Sequence, residues 1–72
     1  MKKFVYQVAG YEFVDSVAFG EAWKGAKRVA TAYHMPIYRL VIKGDNVKQE
    51  VFTKGGCFLN VALATMENAA IF

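Results

Sequence analysis

A single amphipathic helix between strand-like segments constrains the fold of this 72-residue chain more than any other feature. Between Val17 and Tyr33, apolar side chains recur at spacings of three and four, the period of one helix face: Phe19, Ala22, Trp23, Ala26, Ala30 and Tyr33. One helix covers one face of a sheet, so the other face is left to solvent or to a partner. We therefore expect function to depend on the uncovered face.

The first strand-like segment predicts a β-hairpin. Residues 3–8 have the period of two of a half-buried strand, with Phe4, Tyr6 and Val8 on one side and Lys3, Val5 and Gln7 on the other. The alternation resumes at residues 11–13, after Gly10, which readily adopts the positive φ of a tight turn.

The predicted helix has recognisable signals at both ends. Asp15 or Ser16 can cap it by accepting a hydrogen bond from an early backbone N–H. It should end near His34, because Pro36 disfavours helical geometry at the preceding residue.

Residues 37–43 and 47–54 predict a second hairpin around the turn residues 44–46. Residues 57–62 predict a further strand, whereas 65–68 resemble a loop or single helical turn and 69–72 a short last strand. The sequence therefore predicts one α+β domain over residues 1–72. Its antiparallel sheet has four to five strands in the order β-β-α-β-β-(β), with one amphipathic helix across one face.

Composition limits how so short a chain can be stabilised. A small domain buries a modest share of its surface and needs added support. Cys57 is the only cysteine, so no intrachain disulfide forms, and Cys57 with His34 is too small a ligand set for structural zinc. We expect no cofactor. With 56% hydrophobic residues, a dense core or self-association is the remaining route.

The sequence also bears on localisation. No apolar run approaches the ~20 residues that span a bilayer, and no signal-like segment follows the basic N-terminus. A lone cysteine fits a reducing compartment. We expect a cytoplasmic protein that does not bind membranes.

Catalytic residues are sparse. Cys57 and His34 form the only thiol–imidazole pair, and no sequence spacing brings them together. A half-buried cysteine at a strand start and a histidine at a helix C-terminus are the favoured interpretations. We therefore predict that the protein is not an enzyme, and a cysteine-dependent enzyme is the least favoured alternative.

The preferred hypothesis is binding to a protein partner or to a second copy of the chain. If Phe4, Tyr6, Tyr38, Leu40 and Ile42 face the helix, the opposite face mixes basic and apolar side chains, as interfaces often do. The predicted partner-binding residues on that face are Arg39, Val41, Lys43, Lys48 and Phe52.

Nucleic-acid binding is the main alternative. It would use the same strands together with Lys24, Lys27 and Arg28 of the helix, since basic residues around an exposed aromatic ring can hold a single strand. An ordinary solvated helix face explains these three residues as well.

The segments at residues 36–45 (PIYRLVIKGD) and 54–60 (KGGCFLN) resemble those of small uncharacterised proteins from phages and prophages of Gram-positive bacteria. The resemblance lies in style and segment order over most of the chain. It implies a compact accessory protein that binds a host or phage macromolecule, and it transfers no functional residue to this chain.

Overall fold

The structure is a computed structural model that describes residues 2–64 and 67–72. Its elements are β1 (Lys2–Val8), β2 (Tyr11–Asp15), α1 (Glu21–Tyr33), β3 (Tyr38–Lys43), β4 (Asn46–Phe52) and β5 (Phe58–Asn60). The five strands form one antiparallel sheet in the order β2-β1-β3-β4-β5, and α1 packs on β1 and β2. This confirms the predicted α+β fold.

The path of the chain explains the strand order. β1 pairs antiparallel with both β2 and β3, so β2 and β3 run in the same direction on either side of it. Strands that run in the same direction cannot be joined by a tight turn and need a crossover connection. Helix α1 is that crossover, and it is why the helix lies over β1 and β2.

The first two hairpin turns depend on positive φ angles. Ala9 (φ 51°) and Gly10 (φ 84°) form the first turn, and a pair of positive φ angles is the pattern of a type I′ turn. The second turn has Gly44 at φ 58°. The sequence predicted the role of Gly10, whereas the left-handed conformation of Ala9 was not expected.

Helix α1 begins later than predicted. It starts at Glu21 rather than near Val17, and its N-cap is Gly20, which has no capping side chain. The capping role predicted for Asp15 is instead performed from the end of β2, where its Oδ2 accepts the Ala22 N–H at 3.1 Å. The predicted end is confirmed, because His34 adopts the left-handed conformation at the C-cap.

The core lies between α1 and the centre of the sheet. Side chains from β1 pack against the small residues of the helix: Phe4, Tyr6 and Val8 against Ala22, Ala26 and Ala30. A Cβ atom at Gly25 would lie 2.9 Å from the Phe13 ring, so glycine permits close approach of α1 to β2. The small residues of the helix therefore serve packing on the chain's own sheet.

An aromatic cluster extends this core over β4 and β5. Trp23 lies 4.9 Å from Phe52, and Phe52 lies 5.1 Å from Phe58, between ring centres. Phe72 stacks on Phe52 at 5.7 Å, and its carbonyl oxygen accepts a hydrogen bond from Nδ1 of His34 at 2.9 Å. The end of the chain is thus packed against the core.

The prediction of a last strand over 69–72 is wrong. Ala69 makes one isolated bridge to Thr53, and the Ala70 N–H bonds the Phe52 carbonyl at 2.9 Å, but no ladder follows. Phe72 turns instead into the aromatic cluster, which prevents continued pairing. Part of the predicted 65–68 loop, residues 65–66, lies outside the described residues.

Candidate interaction surfaces

The side of the sheet opposite α1, here called the uncovered face, is predominantly apolar. Strand register assigns its residues, because side chains directly opposite each other share a face. The aliphatic and aromatic members are Val5, Val14, Tyr38, Leu40, Ile42, Val47, Val51 and Leu59, and the polar members are Lys3, Gln7, Glu12 and Gln49.

The apolar side chains of the uncovered face are partly open to solvent. Val14 and Val47 are 54% and 57% exposed, and Tyr38 is 40% exposed. Val5 and Val51, nearer its middle, are buried, although neither belongs to the cluster that packs under α1. No second helix or sheet lies over this face among the described residues.

A groove of about 620 Å³ lies at one end of the uncovered face. Val14 and Ile42 provide apolar walls, and Lys3 lies between them on β1. A concave apolar feature of this kind can receive a projecting side chain from another molecule.

The predicted orientation of β3 and β4 is wrong. Arg39 pairs with Tyr6 and Val41 pairs with Phe4, so both lie on the helix side of the sheet. Tyr38, Leu40 and Ile42 consequently lie on the uncovered face. The same register places the remaining predicted partner-binding residues on the helix side: Lys43, Lys48 and Phe52.

Arg39 occupies the middle of the helix side. Its Nε and Nη2 donate to Glu50 Oε1 at 2.9 and 2.6 Å, and the two side chains are only 11% and 19% exposed. Its guanidinium carbon lies 3.8 Å from the centre of the Phe58 ring, which is a stacking contact. Arg39 and Phe52 therefore have structural partners within the chain.

Tyr6 is a fully buried residue beside this ion pair. Its hydroxyl has no hydrogen-bond partner among the described residues. Burial raises the pKa of the Tyr6 hydroxyl, and the nearby Arg39 guanidinium acts in the opposite direction. The hydroxyl is a polar group whose desolvation is not compensated by a hydrogen bond of good geometry.

Lys24, Lys27 and Arg28 are exposed on the outer surface of α1. Lys24 lies 3.5 Å from Glu21, and the Lys27 ammonium lies 5.9 Å from the Trp23 ring centre. These weak local contacts leave the three cations accessible, which is compatible with a solvated helix face or with an anionic partner.

The only thiol and imidazole have separate surroundings. The prediction of a half-buried Cys57 at a strand start is wrong: Cys57 is exposed in the turn before β5, where its Sγ lies 3.7 Å from Thr53 Oγ1. His34 is bound to the Phe72 carbonyl. No hydrogen bond joins the two among residues 2–64 and 67–72, and no group of three metal-ligating side chains occurs in that part of the chain.

Asp15 provides the clearest electrostatic feature near the helix N-terminus. Besides the Ala22 N–H, its carboxylate accepts the Ser16 N–H at 2.8 Å and the Val17 N–H at 3.4 Å. These backbone hydrogen bonds, that from Ala22 foremost, hold the pKa of Asp15 below its ordinary value. The carboxylate thus stabilises the β2–α1 connection through these backbone hydrogen bonds.

Sequence reasoning missed four of the exposed residues on the uncovered face: Val14, Tyr38, Val47 and Leu59. A signal was present, because residues 37–43 alternate between two sets that both contain large apolar side chains. Such a strand can face the core with either set, so the pattern alone does not select one.

Comparisons with protein-family models, with curated proteins and with solved structures gave no match to this chain. None of the helices in the part of the chain that the structure describes is long and apolar enough to cross a bilayer.

Proposed function

We propose that this protein is a non-enzymatic interaction module that self-associates through the uncovered face. The observation that carries the proposal is the placement of its aliphatic strand residues away from the helix. Exposed apolar patches of this kind on small soluble proteins mark interaction sites.

The charge distribution permits a second copy of the chain to bind at the uncovered face. The chain carries a net charge of +3, so two copies repel each other overall. The strand residues of the uncovered face include one basic side chain, Lys3, and one acidic side chain, Glu12. Two like-charged copies therefore repel least when their uncovered faces meet. The centre of a typical interface is similarly depleted in charge.

The size of the face is adequate for a weak dimer. β1, β3 and β4 each contribute three side chains to the face, β2 contributes two and β5 contributes one. At about 4.8 Å between strands and about 6.8 Å between rows, these positions cover roughly 400 Å² of flat area per copy. The accessible area exceeds the flat area because the side chains project from the sheet. The total for two copies therefore approaches the ~1,200 Å² at the low end of specific interfaces. We expect a symmetric, concentration-dependent dimer with a dissociation constant in the micromolar range.

The proposed setting is the cytoplasm, with a phage or prophage as the source. The exposed Cys57 thiol supports a reducing compartment, and the sequence resemblance supports the source.

The test is sedimentation analysis over a range of concentrations for the wild type and for Val14→Asp/Val47→Asp. Both positions are more than half exposed, so the charged side chains should be tolerated by the monomer. The double variant should be monomeric where the wild type is dimeric. Val17→Asp is the matched control, because Val17 is also 54% exposed but lies in the β2–α1 connection.

Two results would overturn the proposal: a wild type that stays monomeric at high concentration, or a dimer that the double variant leaves intact. A monomeric wild type that captures a different protein through the same valines would replace the second copy with that protein. Amide chemical-shift changes on dilution provide a second measurement, and they should concentrate on β1 and β3.

A further inference from the structure

The helix side of the sheet carries a cluster of lysines at the end of the sheet where β1 begins and β3 ends. Lys2 lies directly opposite Lys43, and Lys48 lies directly opposite Val41 on the neighbouring strand. Opposite side chains on antiparallel strands have Cβ atoms about 5 Å apart, and diagonal neighbours are about 7–8 Å apart. The three flexible lysines can therefore bring their ammonium groups to one point above Val41.

No acidic side chain binds this lysine cluster in the part of the chain that the structure describes. The two ion pairs there join Lys24 to Glu21 and Arg39 to Glu50, so neither involves the cluster. Asp15, on the same side of the sheet, has its carboxylate occupied by backbone N–H groups. Like charges directly opposite on paired strands are destabilising unless an anion lies between them.

A groove is present where the three lysines meet. It has a volume of about 360 Å³, and Val41, Asn46 and Val47 contribute to its lining together with the three lysines. An apolar wall lowers the local dielectric constant and strengthens the attraction of the lysines for an anion.

We propose that Lys2, Lys43 and Lys48 bind a phosphate group of a nucleic-acid backbone or of a small phosphate compound. Lysine binds phosphate as a mobile point charge, and three lysines carry more charge than one backbone phosphate, so they can contact two neighbouring phosphates of a strand or one more highly charged small phosphate compound. The backbone is the favoured source, because Lys24, Lys27 and Arg28 supply further exposed positive charge on α1, on the same side of the sheet. Phe19, 56% exposed and also on the helix side, offers a ring on which a base can stack.

This site is compatible with the proposed dimer without depending on it. The lysine cluster and the uncovered face lie on opposite sides of the sheet. A dimer formed through the uncovered faces therefore leaves both clusters accessible. Val47 also lines the lysine groove, so the dimer is best disrupted away from it: Leu59→Asp, on the uncovered face of β5, should weaken the dimer and still bind phosphate at each cluster.

The experiment measures fluorescence anisotropy of a labelled single-stranded oligonucleotide of about 12 nucleotides, within the usual range of site sizes. Lys43→Gln/Lys48→Gln should weaken binding at least tenfold at low salt. The slope of log affinity against log salt should decrease by about 0.7 for each phosphate that the variant no longer neutralises. The matched control Lys54→Gln removes one charge at an exposed position outside the cluster, and its effect should be much smaller than that of the single substitution Lys48→Gln.

A charge-gain variant sharpens the test. Asp45 is exposed and adjacent to the cluster in the β3–β4 turn, so Asp45→Asn should tighten oligonucleotide binding about two- to threefold. Thermal unfolding of each variant verifies the fold, and Lys43→Gln should not lower the unfolding temperature, since it relieves the repulsion from Lys2.

Pyrophosphate distinguishes the two sources of phosphate. A backbone-binding site is supported if pyrophosphate displaces the oligonucleotide and if the binding of each of the two depends on Lys43 and Lys48. Lysine-dependent binding of pyrophosphate without oligonucleotide binding supports the small-compound source. The proposal is overturned if neither probe binds at low salt, or if Lys54→Gln weakens binding as much as Lys48→Gln does.

Discussion

Arg39 and Glu50 face each other across β3 and β4 on the helix side of the sheet, with 2.6 Å between Nη2 and Oε1. Both guanidinium bonds end on the same carboxylate oxygen. An ion pair that is so little exposed must have its charges compensated within the chain, because water does not reach them freely. This pair is why β3 presents an arginine, rather than its aliphatic set, to the aromatic cluster.

Removing one member of this pair should be costly. Glu50→Leu leaves the Arg39 guanidinium without its partner, and we expect the free energy of unfolding to fall by about 3 kcal/mol. Arg39→Met/Glu50→Leu removes both charges and should recover most of that loss. Urea denaturation measures both variants, and Glu21→Leu is the control, because the Lys24–Glu21 pair is mostly exposed and should change stability by less than about 1 kcal/mol. A neutral effect of Glu50→Leu alone would contradict this account.

Tyr6→Phe should be tolerated or stabilising. The substitution removes a buried hydroxyl without a hydrogen-bond partner among the described residues and retains the packed ring, so we expect a change between zero and a gain of about 1 kcal/mol. Tyr6→Ala removes the ring and should cost about 3–5 kcal/mol. Calorimetric unfolding compares the two. A loss of more than about 1 kcal/mol in Tyr6→Phe would show that the hydroxyl has a partner in solution.

Asp15 should make stability depend on pH in the acid range. Its pKa is lower in the folded chain than its ordinary value of 3.8, so the ionised carboxylate contributes stability above that value. The contribution is lost as pH falls through the lowered folded pKa. Asp15→Asn should therefore be less stable than the wild type at pH 7, and the gap should close at strongly acid pH. Thermal melts across pH measure it, and a constant gap would show that ionisation is irrelevant.

The first hairpin turn contains a residue in an unfavourable conformation. Ala9 has a positive φ, which costs a residue with a Cβ about 1–2 kcal/mol, so Ala9→Gly should stabilise the protein by up to about 1 kcal/mol. Gly10→Ala is the converse test and should destabilise it by about 1 kcal/mol. Nothing lies within 4 Å of a Cβ built at Gly10, so that effect would be purely conformational. Equal effects of both substitutions would contradict the assigned turn.

The local elements could be predicted because their signals are local. Gly10 and Gly44 marked the turns, Pro36 marked the end of the helix, and alternation marked the strands. The start of α1 was predicted too early because the apolar spacing includes Phe19. In the structure Phe19 reaches the aromatic cluster from the connection before the helix, at 5.3 Å from Trp23.

The candidate surface was predicted only in outline. That one sheet face would lack a helix followed from counting elements. The residues that occupy this face could not be predicted in the same way, because Arg39 was expected on the uncovered face as a partner-binding residue. Its burial depends on Glu50 and Phe58, partners that lie 11 and 19 residues further along the chain. Such partners offset the desolvation cost of burying the charge of Arg39. No local sequence pattern reveals which residues these partners are.

The sequence by itself determined the order of strands and helix along the chain, the positions of the turns and the existence of an uncovered face, since each follows from periodicity or backbone preference. Only the tertiary structure decided which side of β3 and β4 faces α1. The physical reason is that both alternating sets of side chains in residues 37–43 include large apolar residues, so the orientation of β3 is selected by long-range register with β1 and by the Arg39–Glu50 pair. That choice puts Leu40 and Ile42 on the uncovered face and Lys43 in the lysine cluster.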